Sequence, residues 1–487
     1  MRWVIWIPVV LTSALGLSAE GARPVTYRVG AASVVITPKV AADAPPVWLA
    51  GYGPGRQAEK VHDDIYARAM FLHDGKFGLA IVACDLVGLF YDEVVHIRRQ
   101  VADLNLSPTI DYVLVSSTHT HAGPDTIGIW GPIGRTGLLP GYLRRVREAC
   151  VQAVQQAHQS AGAAKLRIAT VDANKQVKLI GDSRLPIVID SKLTILQAKA
   201  VGGGTVVTLV NMPCHPEVLG SRNKQLSSDF PSTEREYLEK RFGGIVVHNT
   251  GSIGGLLSPR EPDVDPFTDE RLPADEIGKM MAYGRIIGRL VERALERAEP
   301  LTGPIRAQSR EVLIPVWNQV YKVAMGMGNF QRQVVDAEGR PVDILRPTSA
   351  TSAAVREVFK DPHLKTEVGL IEIGPLQIAA IPGEIYPELT LGRFQTPQEA
   401  NADFPGEPLE PTIYPLMTGQ WKMVIGLAND EVGYIIPKSQ WDWFGPYAYG
   451  RKERQYGEFN SCGPEVAPRI MAAWKTLIRP NPGRTPR

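Results

Sequence analysis

The stretch Ala69-Met70-Phe71-Leu72-His73-Asp74-Gly75-Lys76-Phe77-Gly78-Leu79-Ala80-Ile81-Val82-Ala83-Cys84 decides the fold class. Two apolar runs of strand length flank His73-Asp74-Gly75-Lys76, a turn-forming tetrad, and the combination reads as a β-hairpin. Working outward, the text from Tyr27 to Asp85 alternates short β-type runs with turns. Downstream, Val94, Val95, Ile97 and Val101 recur at helical spacing, as do Tyr142, Val146, Cys150, Val151 and Val154 after Pro140-Gly141. Between them, Tyr112-Val113-Leu114-Val115 is a short apolar strand.

Further strands are expected over 192–196, 205–210 and 244–247. A second hairpin is expected where Leu370-Ile371-Glu372-Ile373 meets 376–381 through Gly374-Pro375. The clearest helix is expected over 275–298, capped by Asp275, with Ile277, Met280, Met281, Ile286, Ile287, Leu290, Val291 and Leu295 on one broad apolar face. Strands and helices interleave throughout, which predicts a mixed α/β (α+β) architecture: a mixed sheet with flanking helices.

The chain of 487 residues is read as one catalytic-type domain over 25–478. It is preceded by a signal peptide, 1–19, with Arg2 ahead of an apolar run ending in Ser18-Ala19. That run is shorter than the ~20 residues a spanning helix requires, so export is expected rather than anchoring. The Arg/Pro-rich tail, 479–487, reads as disordered. A net charge of +2 with interspersed acids and bases excludes a nucleic-acid footprint. Cys84, Cys150, Cys214 and Cys462 form no C-x-x-C pair, which excludes a zinc ribbon, and Cys84 sits in an apolar run that suits a buried free thiol.

Four segments end apolar strands with chemistry-bearing residues. Thr118-His119-Thr120-His121 places two imidazoles two residues apart on one side of an extended chain, where they can share a metal or divide into ligand and hydrogen-bonding partner. H-x-H alone fits two ordinary strand-capping histidines as well. Cys214-His215-Pro216-Glu217 holds a histidine in proline-stiffened backbone. Glu384 ends the second hairpin, and Asn429 and Tyr434 lie in a polar-to-apolar transition.

Together these segments resemble the neutral ceramidase family, non-lysosomal ceramide amidases with shorter bacterial relatives. The resemblance runs through Gly30 to Pro38, Gly51-Tyr52-Gly53, His62 to Ala69, Cys84-Asp85-Leu86, Thr118 to Pro124, Cys214-His215-Pro216 with Ser227-Ser228-Asp229, Pro382-Gly383-Glu384 and Asn429 to Tyr434. It covers the family's N-terminal catalytic part, without the C-terminal β-sandwich of the full-length enzymes. It implies one zinc ion per chain on His119, His215, Glu384 and Tyr434, with His121 and Tyr456 as catalytic partners. Ser252 matches the family's serine, although Gly255 stands where the family has Asp. Asn174 and Lys175 match its substrate-binding Asn-Arg, with Lys replacing the bidentate guanidinium.

The implied activity is hydrolysis of an amide C–N bond by zinc-activated water, with a ceramide-like N-acyl lipid as first substrate. An ester, a phosphate or a non-lipid amide, or binding without turnover, are the alternatives. Peripheral membrane contact is expected through the aromatic insert 441–447 and the 129–139 loop, which core packing explains equally well. The sequence does not specify an oligomeric state.

Overall fold

In the first hairpin, Tyr66–His73 pairs antiparallel with Gly78–Cys84, and Asp74 closes the turn by accepting the N–H groups of Lys76 and Phe77 at 2.8 Å each. The computed structural model describes residues 26–175, 178–255, 257–342 and 361–478, so the expected leader and tail lie outside the described residues. The hairpin belongs to a nine-stranded sheet. Its order is Ile245–Thr250, Thr205–Met212, Lys192–Ala200, Gly162–Asp172, Tyr27–Val35, Tyr66–His73, Gly78–Cys84, Tyr112–Ser117, with Glu299–Leu301 added beside Gly162–Asp172. Only the two outer pairings on the main path are parallel; the rest are antiparallel. The sheet is therefore mixed, as expected.

Strand alternation sorts the side chains into layers. Met70, Leu72, Leu79, Ile81, Leu196 and Leu209 point to one face, where they meet Ile371, Ile373, Ile378, Met423 and Ile425 of a second, five-stranded sheet. That sheet runs Ile305–Pro315, His363–Ile373, Leu376–Ala380, Trp421–Ile425, with Val334–Val335 beside the second strand. On the opposite face of the large sheet, Ala69, Phe71, Ala80 and Val82 pack under the Tyr91–Asp103 and Tyr142–Gln159 helices. Ile195, Val210 and Met212 pack under Phe230–Phe242 and Glu276–Leu295. The Val466–Lys475 helix covers the outer face of the smaller sheet. The result is two sheets face to face between helical layers.

The expected long helix forms as Glu276–Leu295, with Asp275 accepting the Gly278 N–H at 2.8 Å. The second hairpin joins His363–Ile373 to Leu376–Ala380. Its turn residue Gly374 has φ +55°, and a Cβ there would stand 1.9 Å from the Thr302 carbonyl oxygen, so only glycine fits. All four cysteines are buried and free, with the Cys84 and Cys150 sulfurs 3.4 Å apart.

Asn429 links the two sheets. Held at φ +66°, it exchanges backbone and side-chain hydrogen bonds with Val115, donating from N at 2.6 Å and accepting on Oδ1 at 3.0 Å. Its Nδ2 donates to Glu367 of the smaller sheet at 3.0 Å. Asn429 thereby ties the end of Tyr112–Ser117 in the large sheet to the middle of His363–Ile373 in the smaller one.

Candidate metal centre

That junction collects the imidazoles. Beyond Tyr112–Ser117 the chain turns at His119, a non-glycine residue with φ +64°, whose N–H donates to the Leu86 carbonyl at 2.9 Å. His119 Nδ1 lies 2.5 Å from the Val87 carbonyl oxygen. Two residues on, the His121 N–H donates to the Pro216 carbonyl at 3.0 Å, which ties the H-x-H segment to the His215 turn. A Cβ on Gly51, at φ +99°, would overlap the His121 ring at 2.3 Å, so a glycine is required there. His215 follows Thr205–Met212, and its Nδ1 meets the Leu257 carbonyl at 2.9 Å. The three histidines are buried, and their nitrogens can be chosen within 4.8 Å of one another.

Glu384 and Tyr434 arrive from the other side as directly paired residues of two short parallel strands, Glu384–Ile385 and Tyr434–Ile435. Glu384 Oε2 is 3.0 Å from His215 Nε2, and Oε1 is 3.6 Å from His119 Nε2. The Nδ1 protons of His119 and His215 belong to backbone carbonyls, so both Nε2 atoms turn lone pairs toward a carboxylate. Acceptors facing acceptors need either an extra proton or a cation between them. The donor set of imidazole nitrogens, carboxylate and phenol is one that suits zinc.

Burial, partly offset by Glu384, holds His119 down at about 3, which keeps it neutral as a ligand must be. Burial also opposes the charge on His215, but its hydrogen bond to Glu384 and the nearby Glu217 overcome this and push it up to about 9. Burial works to raise Glu384, yet the two histidines and Tyr434 bring it below the ordinary carboxylate range. Burial and then Glu384 drive the Tyr434 phenol far upward.

The centre opens into a cavity of about 450 Å³. Val87, Phe90, Ile127, Trp130, Phe330 and Leu364 supply apolar wall, and Tyr456, half exposed, packs its ring 6.1 Å from that of Tyr434. Of the residues singled out in the sequence, His119, His121, His215, Glu384, Tyr434 and Tyr456 come together in this wall. Ser252 is fully buried and bonded to Thr390 at 2.7 Å and Asp190 at 3.3 Å, outside the cavity lining. Asn174 organises its own turn through Leu179 and Ile180, and Lys175 is exposed beside it; neither lines the cavity.

Two acidic wall residues escaped the reading of the sequence. Glu217 lies 3.0 Å from His121 Nδ1, at ion-pair distance but off hydrogen-bond direction, and accepts from Ser258 and from Tyr52 Oη, the latter at 3.3 Å. Its place two residues after His215 was the available signal. Glu431 adjoins Asn429-Asp430 and had no such signal.

The scaffold and site define a protein with an imidazole, carboxylate and phenol metal-type centre, set between two stacked sheets and opening into an apolar-walled cavity. No family model matches the chain. In sequence it is similar to neutral ceramidase B of Dictyostelium discoideum, 25% identical over 268 residues, and to neutral ceramidase A of the same organism, 24% over 261. These alignments take in 50% and 48% of this chain, but span only 36% and 35% of the curated relatives. In structure it matches neutral ceramidase from Pseudomonas aeruginosa with a TM-score of 0.64 at 14% identity, over 94% of this chain and 74% of that one. A ceramidase complexed with C2 matches with a TM-score of 0.63 at 15% identity, over 93% and 74%. The chain is thus similar in sequence to neutral ceramidases, and its mixed α/β fold is the neutral ceramidase fold.

Proposed function

We propose that this chain is an exported zinc-dependent hydrolase that cleaves the C–N bond of an N-acyl amine, a ceramide-like lipid being the first substrate to test. The observation that carries the reading is the convergence of His119, His215, Glu384 and Tyr434 on one wall of a largely apolar cavity. The ceramidase names of the relatives support the amide.

A zinc ion held by those four residues would supply Lewis acidity, lowering the pKa of water toward neutrality and polarising a carbonyl. The protein's own groups do the rest. The apolar wall takes the hydrocarbon arms and excludes bulk water around the amide. The Glu217 charge stands beside Nδ1 of His121 at ion-pair distance, leaving Nε2 as the nitrogen that can take or give a proton. Tyr456 lines the cavity although half exposed, and burial pushes its phenol up to about 12, so it stays a donor. Water adds to the acyl carbon, the C–N bond breaks, and His121 or Tyr456 returns the proton to the leaving amine.

Among the described cavity-lining residues the one guanidinium is that of Arg332, which is already paired with Asp430 at 2.8 Å, so beyond the proposed zinc a phosphate ester would find no free guanidinium. Peripheral contact with lipid belongs to the proposal. Exposed Trp317 and Phe444 stand with ring centroids 6.2 Å apart, and Phe459 is exposed between the cavity-lining Tyr456 and Asn460. Among the described residues no helix is long and apolar enough to cross a membrane.

Metal analysis with amidase assays tests the reading. His119→Ala and His215→Ala should lose zinc and turnover together, and full zinc retention by both variants would overturn it. Tyr434→Phe should lose most of its turnover, and an unchanged rate would remove Tyr434 from the site.

A further inference from the structure

The cavity beside the metal centre is not uniform along its wall. Next to His121, Ser258 and Tyr52 both donate to Glu217, and all four line the cavity. Phe90, Met325, Phe330 and Leu364 instead belong to one continuous apolar cluster with Val87, whose carbonyl oxygen meets His119 Nδ1. With His121 returning the proton to the leaving amine, the amine departs beside the polar groups. The acyl arm is then left to the apolar cluster, where its burial is favourable.

That cluster ends in a shared wall. A second cavity, of about 810 Å³, adjoins the first, and Met325, Phe330 and Arg332 line both. The buried Phe330 ring meets Phe90 and Tyr321 edge-on, with centroids 5.7 Å and 5.1 Å apart, and the Arg332 guanidinium stands 4.7 Å over the Phe90 ring. The preceding residue is fixed by its backbone, since the Asn329 N–H donates to the Ala324 carbonyl at 2.9 Å. Behind the wall the lining becomes charged, with Asp92, Glu93, Arg99, Glu311 and Lys365 around the second cavity. A hydrocarbon chain therefore gains by burial as far as Phe330 and gains little past it.

We propose that Phe330 is a specificity-determining residue that sets the longest acyl chain the protein accepts, by closing the apolar end of the cavity. This rests on the amide reading and deepens it. A methylene buried short of the wall strengthens substrate and transition state alike, so kcat/KM rises by about fourfold per carbon and stops rising where the chain end meets the Phe330 ring.

The test is a series of N-acylsphingosines with saturated acyl chains from acetyl to icosanoyl, assayed on the zinc-loaded protein in one detergent. Wild type should show a limit, a length beyond which kcat/KM no longer rises. Phe330→Ala should move that limit to longer chains. The variant-to-wild-type ratio, in which differences of solubility between substrates cancel, should grow by roughly tenfold or more between the shortest chain and the first one past the wild-type limit. Phe330→Leu, a milder truncation that keeps a branched apolar side chain, should move the limit in the same direction and decides the matter if the alanine variant does not fold.

A wild-type series without a limit would overturn the assignment, as would a limit that stays in place in the folded Phe330 variant. If no member of the series is hydrolysed, the amide reading fails by itself. Calorimetric binding of saturated fatty acids of the same lengths to wild type and the Phe330 variant then decides the wall alone. An affinity that climbs to a limit, and a limit that lengthens in the variant, support it; no binding at any length, no limit or an unmoved one overturns it.

Discussion

Replacing Glu217 with alanine isolates what His121 needs. The carboxylate stands 3.0 Å from His121 Nδ1, accepts from Ser258, and accepts from Tyr52 Oη at 3.3 Å, while the Tyr52 ring meets the His121 ring edge-on at 4.9 Å. Burial alone would raise this carboxyl, but His121, His215 and Ser258 hold it far below the ordinary range, so it is charged at any pH at which the protein would be assayed. Truncation removes the carboxylate charge that stands at ion-pair distance from His121 Nδ1. Loss of a carboxylate that positions a site histidine typically costs roughly 10–100-fold. Of the proposed zinc ligands, His215 feels Glu217 through its charge, but the His215 ring nitrogens are held by the Leu257 carbonyl and Glu384 rather than by Glu217. Glu217→Ala should therefore lower kcat by roughly 10- to 100-fold while zinc stays at one per chain. Parallel steady-state kinetics and metal analysis read the two quantities, with thermal unfolding to confirm the fold. A kcat within about threefold of wild type would refute the argument, because it would mean that His121 keeps its orientation without the carboxylate.

Three other perturbations probe separate links. Burial pushes Glu388 from 4.5 up to about 7 against the pull of Arg184, so the fold prefers its neutral form. That contribution is complete below pH 4.5 and is lost as the pH rises to about 7, a loss of at most ~3 kcal/mol. Glu388→Gln should match wild type in Tm near pH 4 and exceed it at pH 8; a difference that does not vary with pH would contradict this. Gly374→Ala, forced to place Cβ 1.9 Å from the Thr302 oxygen at φ +55°, should lower Tm by several degrees, and an unchanged melting curve would refute the steric argument. Phe444→Ser combined with Trp317→Ser should reduce cosedimentation with phospholipid vesicles without lowering zinc content, and undiminished sedimentation would remove these rings from the lipid contact.

Local chemistry made much of the fold legible. The Asp74-Gly75 turn, the Gly374 turn and the Asp275 cap each act within a few residues, so the two hairpins and the long helix could be read directly. The Phe230–Phe242 helix was not anticipated, because its apolar positions make no clean stripe and its start depends on Asp229, whose φ is +62°. Long-range pairing was also silent: nothing near Ile305–Pro315 announces eleven residues of antiparallel pairing with His363–Ile373. At the site, His119, His121, His215, Glu384 and Tyr434 were each readable as strand-end residues, and the resemblance supplied their grouping. Glu431 was not readable, because its place in the cavity wall depends on long-range packing rather than on its sequence neighbours.

The histidines hang from the larger sheet, whereas Glu384 and Tyr434 belong to a strand pair beside the smaller one. A cation bound there would act as a rivet between two halves whose contributing residues are separated by 265 positions, from His119 to Glu384. The complete centre thus exists only when the two sheets are docked, and neither half alone supplies all four residues. Occupancy should then be felt as rigidity at a distance, with slower amide exchange at Asn429 and Val115, where the sheets are pinned together, than in protein stripped by a chelator.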